Sequence, residues 1–323
     1  MTLSTFFKKY RSRRKGNATG TLVAFISFFG FISCEKELDY NNRHHVPMLV
    51  TSPFSFEDDR LEEEGIKGFS TNSQSTDILL TASDDVFGQG IPESIPNATV
   101  QLREAGEEWV TFSPNEFFLY TYYTSDDILI KENTSYEYRA SVEGFDDVSG
   151  EFTIPSPVKI KEVEFVRGYD QSESPFGYAY MEFDLTFEDP PGNQYYSITC
   201  QMKNDRNLFH HKITTNHPSA QSFNFHPQLF FYRDIFLSDQ ALTNQEATVR
   251  IKVLNLNAIP WGYDFSFTLH THDVHSYKYN SSVQRQRHYI EQEVPQTQPV
   301  VIYSNIENGL GYVGGFSSDN FEL

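Results

Sequence analysis

The sequence predicts a mainly β protein, with an N-terminal immunoglobulin- or transthyretin-like β-sandwich followed by a second β-rich domain that carries one C-terminal helix. Composition is the first reason, because 29 Phe and 19 Tyr supply the aromatic side chains that strands favour. The second reason is a period-two alternation of apolar and polar residues in several segments. The third is spacing, since short strands separated by turn residues are typical of sandwiches.

The first half of the chain contains the clearest alternation. Tyr136, Tyr138, Ala140 and Val142 are predicted to face inward, while the polar and charged residues between them face solvent. Short apolar runs separated by turn residues extend the pattern on both sides. The fold is predicted to start at residues 46–50, and the strands predicted for this sandwich are residues 77–81, 98–103, 117–123, 128–130, 135–143 and 148–154.

A proline-stiffened segment, Ile154-Pro155-Ser156-Pro157, is interpreted as the boundary between two domains, residues 46–156 and 157–323. In the second domain, Phe183, Leu185 and Phe187 share one face of a predicted strand. Cys200 falls on the apolar face of the next strand and is predicted to be a small buried hydrophobe. Residues 203–246 show no clean period. The strands predicted here are residues 158–166, 178–187, 195–202, 247–254 and 263–270.

One helix is predicted to follow the last of these strands. Asp273 provides an N-cap, and the helical pattern continues to about Glu293, before Pro295. The apolar stripe of this segment is thin, which predicts a helix lying across a sheet.

The N-terminus has the pattern of an export signal. Six basic residues (Lys8, Lys9, Arg11, Arg13, Arg14 and Lys15) precede an apolar run that ends in Phe31-Ile32-Ser33-Cys34. That run is shorter than the roughly 20 residues of a membrane-spanning helix, and a small residue before the cut is typical of a secretory signal. We interpret residues 1–33 as a lipoprotein signal peptide, Cys34 as the lipidated residue and residues 34–45 as a tether. Plain secretion and an uncleaved anchor remain alternatives.

The charge of the chain narrows the range of partners. Its formal net charge is −19 at pH 7. The charged residues of the predicted signal segment are all basic, so the chain without that segment is more acidic still. Such an acidic body repels phosphate backbones, so no nucleic-acid partner is expected. We also expect no cofactor, since the sequence has no nucleotide-cradling loop, no nucleophile elbow and no calcium-loop spacing.

Three histidines are the sharpest candidates for chemistry. His270 and His272 stand two residues apart on one predicted strand face, and His275 follows the turn. Three imidazoles are enough ligands for a catalytic zinc site. The alternative reading is a strand that ends in polar residues, with Asp273 capping the helix.

A second candidate is an aromatic-rich stretch in the irregular region. Aromatic rings could stack on sugars or on a partner protein, or they could fill the core beneath a loop. The candidate binding residues are Phe223, Phe225, Phe230, Phe231 and Tyr232.

Several segments resemble the domain of unknown function 4249 family. The most specific is residues 299–316, with Ser304-Asn305-Ile306 and Gly309-Leu310-Gly311; Cys34-Glu35-Lys36-Glu37, Ile154-Pro155 and residues 187–196 also match. The resemblance implies a Gram-negative outer-membrane lipoprotein associated with a TonB-dependent receptor, and it implies no catalytic residues. From the residues themselves, the glycines are predicted to permit left-handed turns and close backbone approach in a closing strand pair.

Together these observations predict a lipid-anchored outer-membrane protein, on the cell surface or the periplasmic face, that acts as a non-enzymatic accessory or ligand-presenting partner of a TonB-dependent receptor. One alternative is a metal-dependent hydrolase that uses His270, His272 and His275. A second alternative is a glycan-binding surface adhesin.

Overall fold

The computed structural model describes residues 47–54, 69–70, 77–83, 93–117, 120–169, 171–174, 179–203, 208–220, 232–238, 242, 246–255, 264–291 and 300–323. The described chain belongs to one compact unit that begins at His45. The predicted signal peptide, Cys34 and the tether lie outside the described residues.

The described part is mainly β, with one C-terminal helix, as the sequence predicts. The helix is α1 (Val274–Glu291). The strands are β1 (Leu49–Phe54), β2 (Phe69–Ser70), β3 (Asp77–Ala82), β4 (Thr99–Glu104), β5 (Val110–Phe117), β6 (Tyr120–Thr124), β7 (Thr134–Ser141), β8 (Val148–Ile154), β9 (Ile160–Tyr169), β10 (Ala179–Glu188), β11 (Tyr195–Lys203), β12 (Leu208–His210), β13 (Ile213–Thr215), β14 (Asp234–Ser238), β15 (Glu246–Asn255), β16 (Asp264–His272), β17 (Leu310–Gly311) and β18 (Gly315–Glu322).

Eight strands form the first sheet, in the order β17-β1-β3-β6-β5-β4-β7-β8. All its pairings are antiparallel except that of β1 with β17. The predicted alternation in β7 is confirmed, since Tyr136, Tyr138 and Ala140 are buried. A buried tyrosine needs a partner for its hydroxyl, and the Tyr138 hydroxyl lies 3.0 Å from Thr51 Oγ1.

Two predicted strands of the first half are wrong in detail. Residues 117–123 do not form one strand, because Phe117 ends β5 and pairs with Tyr120 at the start of β6. Residues 128–130 form no strand. The backbone there bonds to a side chain instead, since the Tyr136 hydroxyl accepts from Lys131 N at 2.8 Å and donates to Leu129 O at 3.3 Å.

The second half contains two further sheets. One has the order β13-β15-β10-β9, and the other has β12-β11-β16-β18-β2 with β14 also paired to β11. Apolar side chains of both sheets meet in one core, which includes Phe183, Leu185, Phe187, Ile198 and Phe267. The apolar faces predicted for β10 and β11 are therefore confirmed. Cys200 lies in this core, where burial raises the pKa of its thiol.

The end of the chain contributes to both halves. Ile306 and Val313 pack in the core of the first sheet, whereas β18 pairs with β16 of the second half. β2, from the first half, pairs in turn with β18. The predicted domain boundary at residue 157, and the likeness to an immunoglobulin or transthyretin sandwich, stay predictions.

The predicted helix is confirmed over its described residues, and its start follows from its cap. Asp273 Oδ1 accepts a hydrogen bond from Ser276 N at 2.6 Å, which satisfies one of the free N–H groups of the first turn. Within the described residues, no helix is long and apolar enough to cross a bilayer.

Candidate functional site

The histidines considered as candidate zinc ligands lie where β16 meets α1 and β18. His270 and His272 share one face of β16, because alternate residues of a strand do so, and their ring centroids are 6.1 Å apart. Phe316 of β18 contacts both rings, with centroid distances of 5.5 and 5.7 Å. His275 bonds elsewhere, since its Nδ1 lies 2.7 Å from the Tyr303 hydroxyl.

His272 is held at both ring nitrogens by serine hydroxyls. Nε2 lies 2.8 Å from Ser197 Oγ and Nδ1 lies 2.9 Å from Ser276 Oγ. Asn280 Nδ2 donates to Ser276 O at 2.9 Å. All four residues are buried. Burial lowers the pKa of His272, and neighbouring His270 lowers it further, so the imidazole is neutral and donates one hydrogen bond while accepting the other.

His270 has a similar but looser environment. Its Nδ1 lies 2.7 Å from Ser318 Oγ, while its Nε2 lies 3.5 Å from Thr199 Oγ1. Hydroxyl groups therefore occupy the nitrogens that zinc would need in both histidines. Over the described ranges, no three His, Cys, Asp or Glu side chains form a group that could hold a metal ion. This arrangement favours a buried hydrogen-bond network over the predicted zinc site.

Asp273 connects three elements at one point. Besides capping α1, its Oδ2 accepts from Thr153 N of β8 at 3.2 Å, and its own N–H donates to Gly315 O of β18 at 2.9 Å. Burial raises the pKa of Asp273 to about 7, although several backbone N–H groups favour its charged form. The carboxyl group thus titrates near neutral pH at the contact between the two halves of the body.

Replacing Asp273 with Asn should change how stability depends on pH. Because the folded pKa is raised, the stabilising contribution of Asp273 is fully present below its ordinary value of 3.8 and is lost as pH rises through about 7. Urea midpoints from pH 4 to 8 should therefore show the unmodified protein gaining stability over Asp273→Asn as pH falls. Asn is itself a good N-cap, so the fold should persist. Parallel pH profiles would contradict this assignment.

The glycine-rich segment, residues 304–316, forms what we call the C-terminal strap. Asn305 closes it into a loop, because its Oδ1 accepts from Val313 N at 3.0 Å and its Nδ2 donates to Val313 O at 2.8 Å. Glu307 N donates to Ser149 O of β8 at 2.8 Å, and Tyr312 N donates to Thr51 O of β1 at 3.1 Å. Two strands, β17 and β18, hold this end of the chain, but they pair with β1 and β16 and not with each other as a closing pair.

Two glycines show why the strap needs this sequence. Gly311 has φ +88°, and a Cβ there would lie 2.0 Å from Thr51 O. A Cβ on Gly314 would lie 2.6 Å from Ser276 N, at the start of α1. The backbone of the strap therefore touches β1 and the helix directly, which only residues without a side chain permit.

The comparison with known protein families covers the C-terminal strap together with most of the rest of the described chain. Residues 53–322 match a family described as "Domain of unknown function (DUF4249)". The chain belongs to the DUF4249 family. In this DUF4249 protein the matched range covers most of the described residues, including the whole strap.

No curated protein matches this DUF4249 chain. Among solved structures, a DUF4785 family protein from Legionella pneumophila shares 10% identity, with a TM-score of 0.24, over 70% of this chain and 53% of that one. The BSP domain of a biofilm associated protein shares 10% identity, with a TM-score of 0.20, over 84% of this chain and 58% of that one. The chain spans little more than half the length of either. Scores this low carry no argument about fold or function.

The other predicted site residues are only partly described. Phe223, Phe225, Phe230 and Phe231 lie outside the described residues. The backbone of Tyr232 pairs with that of Ile213, which places Tyr232 beside the edge strand β13.

Sequence reasoning missed the partners of the histidines in this DUF4249 protein. Ser197, Ser276 and Ser318 come from β11, α1 and β18, which are far apart in the chain. Of these three serines, only Ser276 could have been suggested from the sequence as a partner of His272, since it lies four residues after it in the chain. Ser197 and Ser318 are ordinary serines until β11 and β18 pair with β16 on either side.

Proposed function

We propose that this DUF4249 protein is a lipid-anchored protein of the outer membrane and a non-enzymatic accessory of a TonB-dependent receptor, where it presents or captures a nutrient ligand. The observation that carries the proposal is Phe31-Ile32-Ser33-Cys34 at the end of a basic and then apolar N-terminus. An acylated N-terminal cysteine carries more than one chain, and stable anchoring needs more than one.

The burial of the reactive side chains supports a non-enzymatic role. His272 and Ser276 form a Ser–His pair, but Ser276 is 0% exposed and His272 only 2%. A nucleophile and its base must reach the substrate, and neither side chain does so here. The thiol of Cys200 is likewise buried, and burial keeps it protonated, whereas the reactive form of a cysteine is the thiolate.

Replacing Cys34 with Ser should release the protein from the membrane. Because Cys34 would carry the acyl chains, the variant should lose fatty-acid labelling and move from the membrane fraction to the soluble fraction. Cys200→Ser is the matched control, since it removes the chain's other cysteine from the core without touching the anchor. Mass spectrometry of residue 34 gives the direct readout. An unacylated residue 34, or a Cys34→Ser product that stays with outer membranes, would refute the proposed anchor.

The receptor partnership needs a separate experiment. Mild detergent extraction of native outer membranes, followed by purification of the tagged protein, should recover a TonB-dependent barrel in stoichiometric amount. The Cys34→Ser variant tests whether that association depends on the anchor. Repeated recovery of the lipidated protein by itself would argue against an accessory role while leaving the anchor intact.

A further inference from the structure

Strand β9 is an edge strand of the four-stranded sheet, because its described pairing is to β10 alone. At its start, the edge is covered by β18, since Ile160 N donates to Asp319 Oδ2 at 2.8 Å. Beyond Val163 the cover ends, and residues 164–168 are all exposed. An exposed edge offers unpaired N–H and C=O groups to another strand.

The exposed part of this edge has an apolar centre. Phe165 is 57% exposed and Val166 is 38% exposed. The register between β9 and β10 shifts at this point, where Phe165 opposes Phe183 and Arg167 opposes Glu182. Such a bulge re-aims side chains and here leaves two successive apolar residues at the surface. Phe165 also reaches inward, since its ring contacts that of Phe183 edge-to-face at 5.6 Å.

The charged residues on either side of this apolar centre would pair with residues of opposite charge on a second copy of β9 in one specific arrangement. If two copies of β9 pair antiparallel about a twofold axis between Phe165 and Val166, each Phe165 opposes a Val166. Each Glu164 then opposes the Arg167 of the other copy, and each Glu162 opposes Tyr169. Directly opposite residues of unlike charge stabilise a strand pair, whereas like charges destabilise it.

The charged groups concerned are accessible. Arg167 bonds to Glu182 through Nε at 3.2 Å, yet its side chain is still 61% exposed. Glu162 and Glu164 are exposed, and neither forms an ion pair with another described residue. Their carboxylates therefore remain available to a second chain.

We propose that residues 164–168 of β9 form an interface with a second copy of this chain. Two four-stranded sheets join there into one continuous sheet through antiparallel β9–β9 pairing. The interface is isologous, which is the commonest symmetry among protein dimers. This inference goes beyond the proposed accessory function and does not depend on Cys34.

Sedimentation of the purified protein in mild detergent, over a range of concentrations, tests the proposal. The unmodified protein should show a concentration-dependent dimer. Glu164→Arg would set two arginines against each other at both symmetric contacts, and dimerisation should weaken about tenfold or more. Glu132→Arg is the matched control, because it makes the same charge change at an exposed turn residue just before β7, away from β9, and should leave the dimer intact.

A complementary variant gives the test a positive outcome. Arg167→Glu alone should also weaken the dimer, but a mixture of Glu164→Arg with Arg167→Glu restores opposite charges at both contacts and should form a heterodimer. Circular dichroism checks that Arg167→Glu still folds, since it loses its bond to Glu182. If that variant does not fold, the register measurement below decides the question.

The register is checked by spin labels on Glu162→Cys. Pairing about the proposed axis sets each position 162 beside Tyr169 of the other copy. Because of the bulge, residues 162 and 169 oppose Thr186 and Tyr180 of β10, so the two 162 positions lie six residue rises apart, or about 20 Å between their Cα atoms. The buried Cys200 should not react, and the unmodified protein treated with the same label sets the background. A protein that stays monomeric, a dimer indifferent to Glu164→Arg, or a different label distance would each overturn the proposal. The proposal would also be overturned if the purified protein were monomeric and the backbone amides of β9 were protected from hydrogen exchange only in native membranes. That result would mean that a strand of another protein pairs with this edge.

Discussion

Replacing Gly311 with Ala is expected to destabilise the protein by about 4 kcal/mol or more, in the range reserved for severe defects. The added Cβ would lie 2.0 Å from Thr51 O, and this obstacle is backbone, which cannot rotate away. Relief requires β17 to separate from β1, with loss of the Tyr312 N to Thr51 O bond. Equilibrium urea unfolding of the purified variant measures the loss.

Gly106→Ala is the control for backbone strain. Gly106 has the same φ of +88°, but a Cβ there would meet no atom within 4 Å. Its substitution should therefore cost only the penalty of a left-handed conformation, about 1–2 kcal/mol. The difference between the two variants isolates the close approach of the strap to β1. Equal losses at Gly106 and Gly311 would mean that the strap does not hold β1 as described.

Replacing His272 with Ala is expected to cost about 3–5 kcal/mol of stability, because it leaves a cavity and removes a hydrogen-bond partner from the buried hydroxyls of Ser197 and Ser276. His272→Gln should recover part of the loss, since an amide can both donate and accept. Thermal or urea unfolding is the measurement. The substitution should lower the stability of the protein only. The fraction of the variant that remains folded should still associate with the membrane.

His275→Ala is the matched control within the same histidine cluster. His275 is only partly buried and bonds to the Tyr303 hydroxyl at 2.7 Å, so its loss should cost about 1 kcal/mol. A zinc site would predict the opposite pattern, in which all three histidines matter alike and metal analysis finds bound zinc. Metal analysis of the unmodified protein distinguishes the two readings independently of stability.

The strands with strict alternation were predictable because their burial is local. In β7, β10 and β11, the positions that face the hydrophobic core are apolar and most positions between them are polar, so the period itself indicates the core-facing side. The cap at Asp273 was predictable for a related reason, since its bond to Ser276 N spans three residues.

Other elements could not be predicted because they depend on partners far away in the chain. β5 contains Pro114 and few apolar residues, and it is a strand because β4 and β6 pair with it on both sides. The short strands β12, β13 and β14 lack a period of their own and are defined by pairing with β11 and β15. Conversely, residues 128–130 are apolar but form no strand, and the backbone groups Leu129 O and Lys131 N bond to the Tyr136 hydroxyl.

By itself, the sequence determined the mainly β class, the C-terminal helix with its cap, and the membership of the DUF4249 family, because composition, period and short motifs are local properties. Only the tertiary structure decided that the last residues of the chain join both cores, and that His272 is enclosed by two serines. The physical reason is that a side chain's chemistry depends on its burial and its partners. Those are fixed only when strands distant in sequence pair and pack.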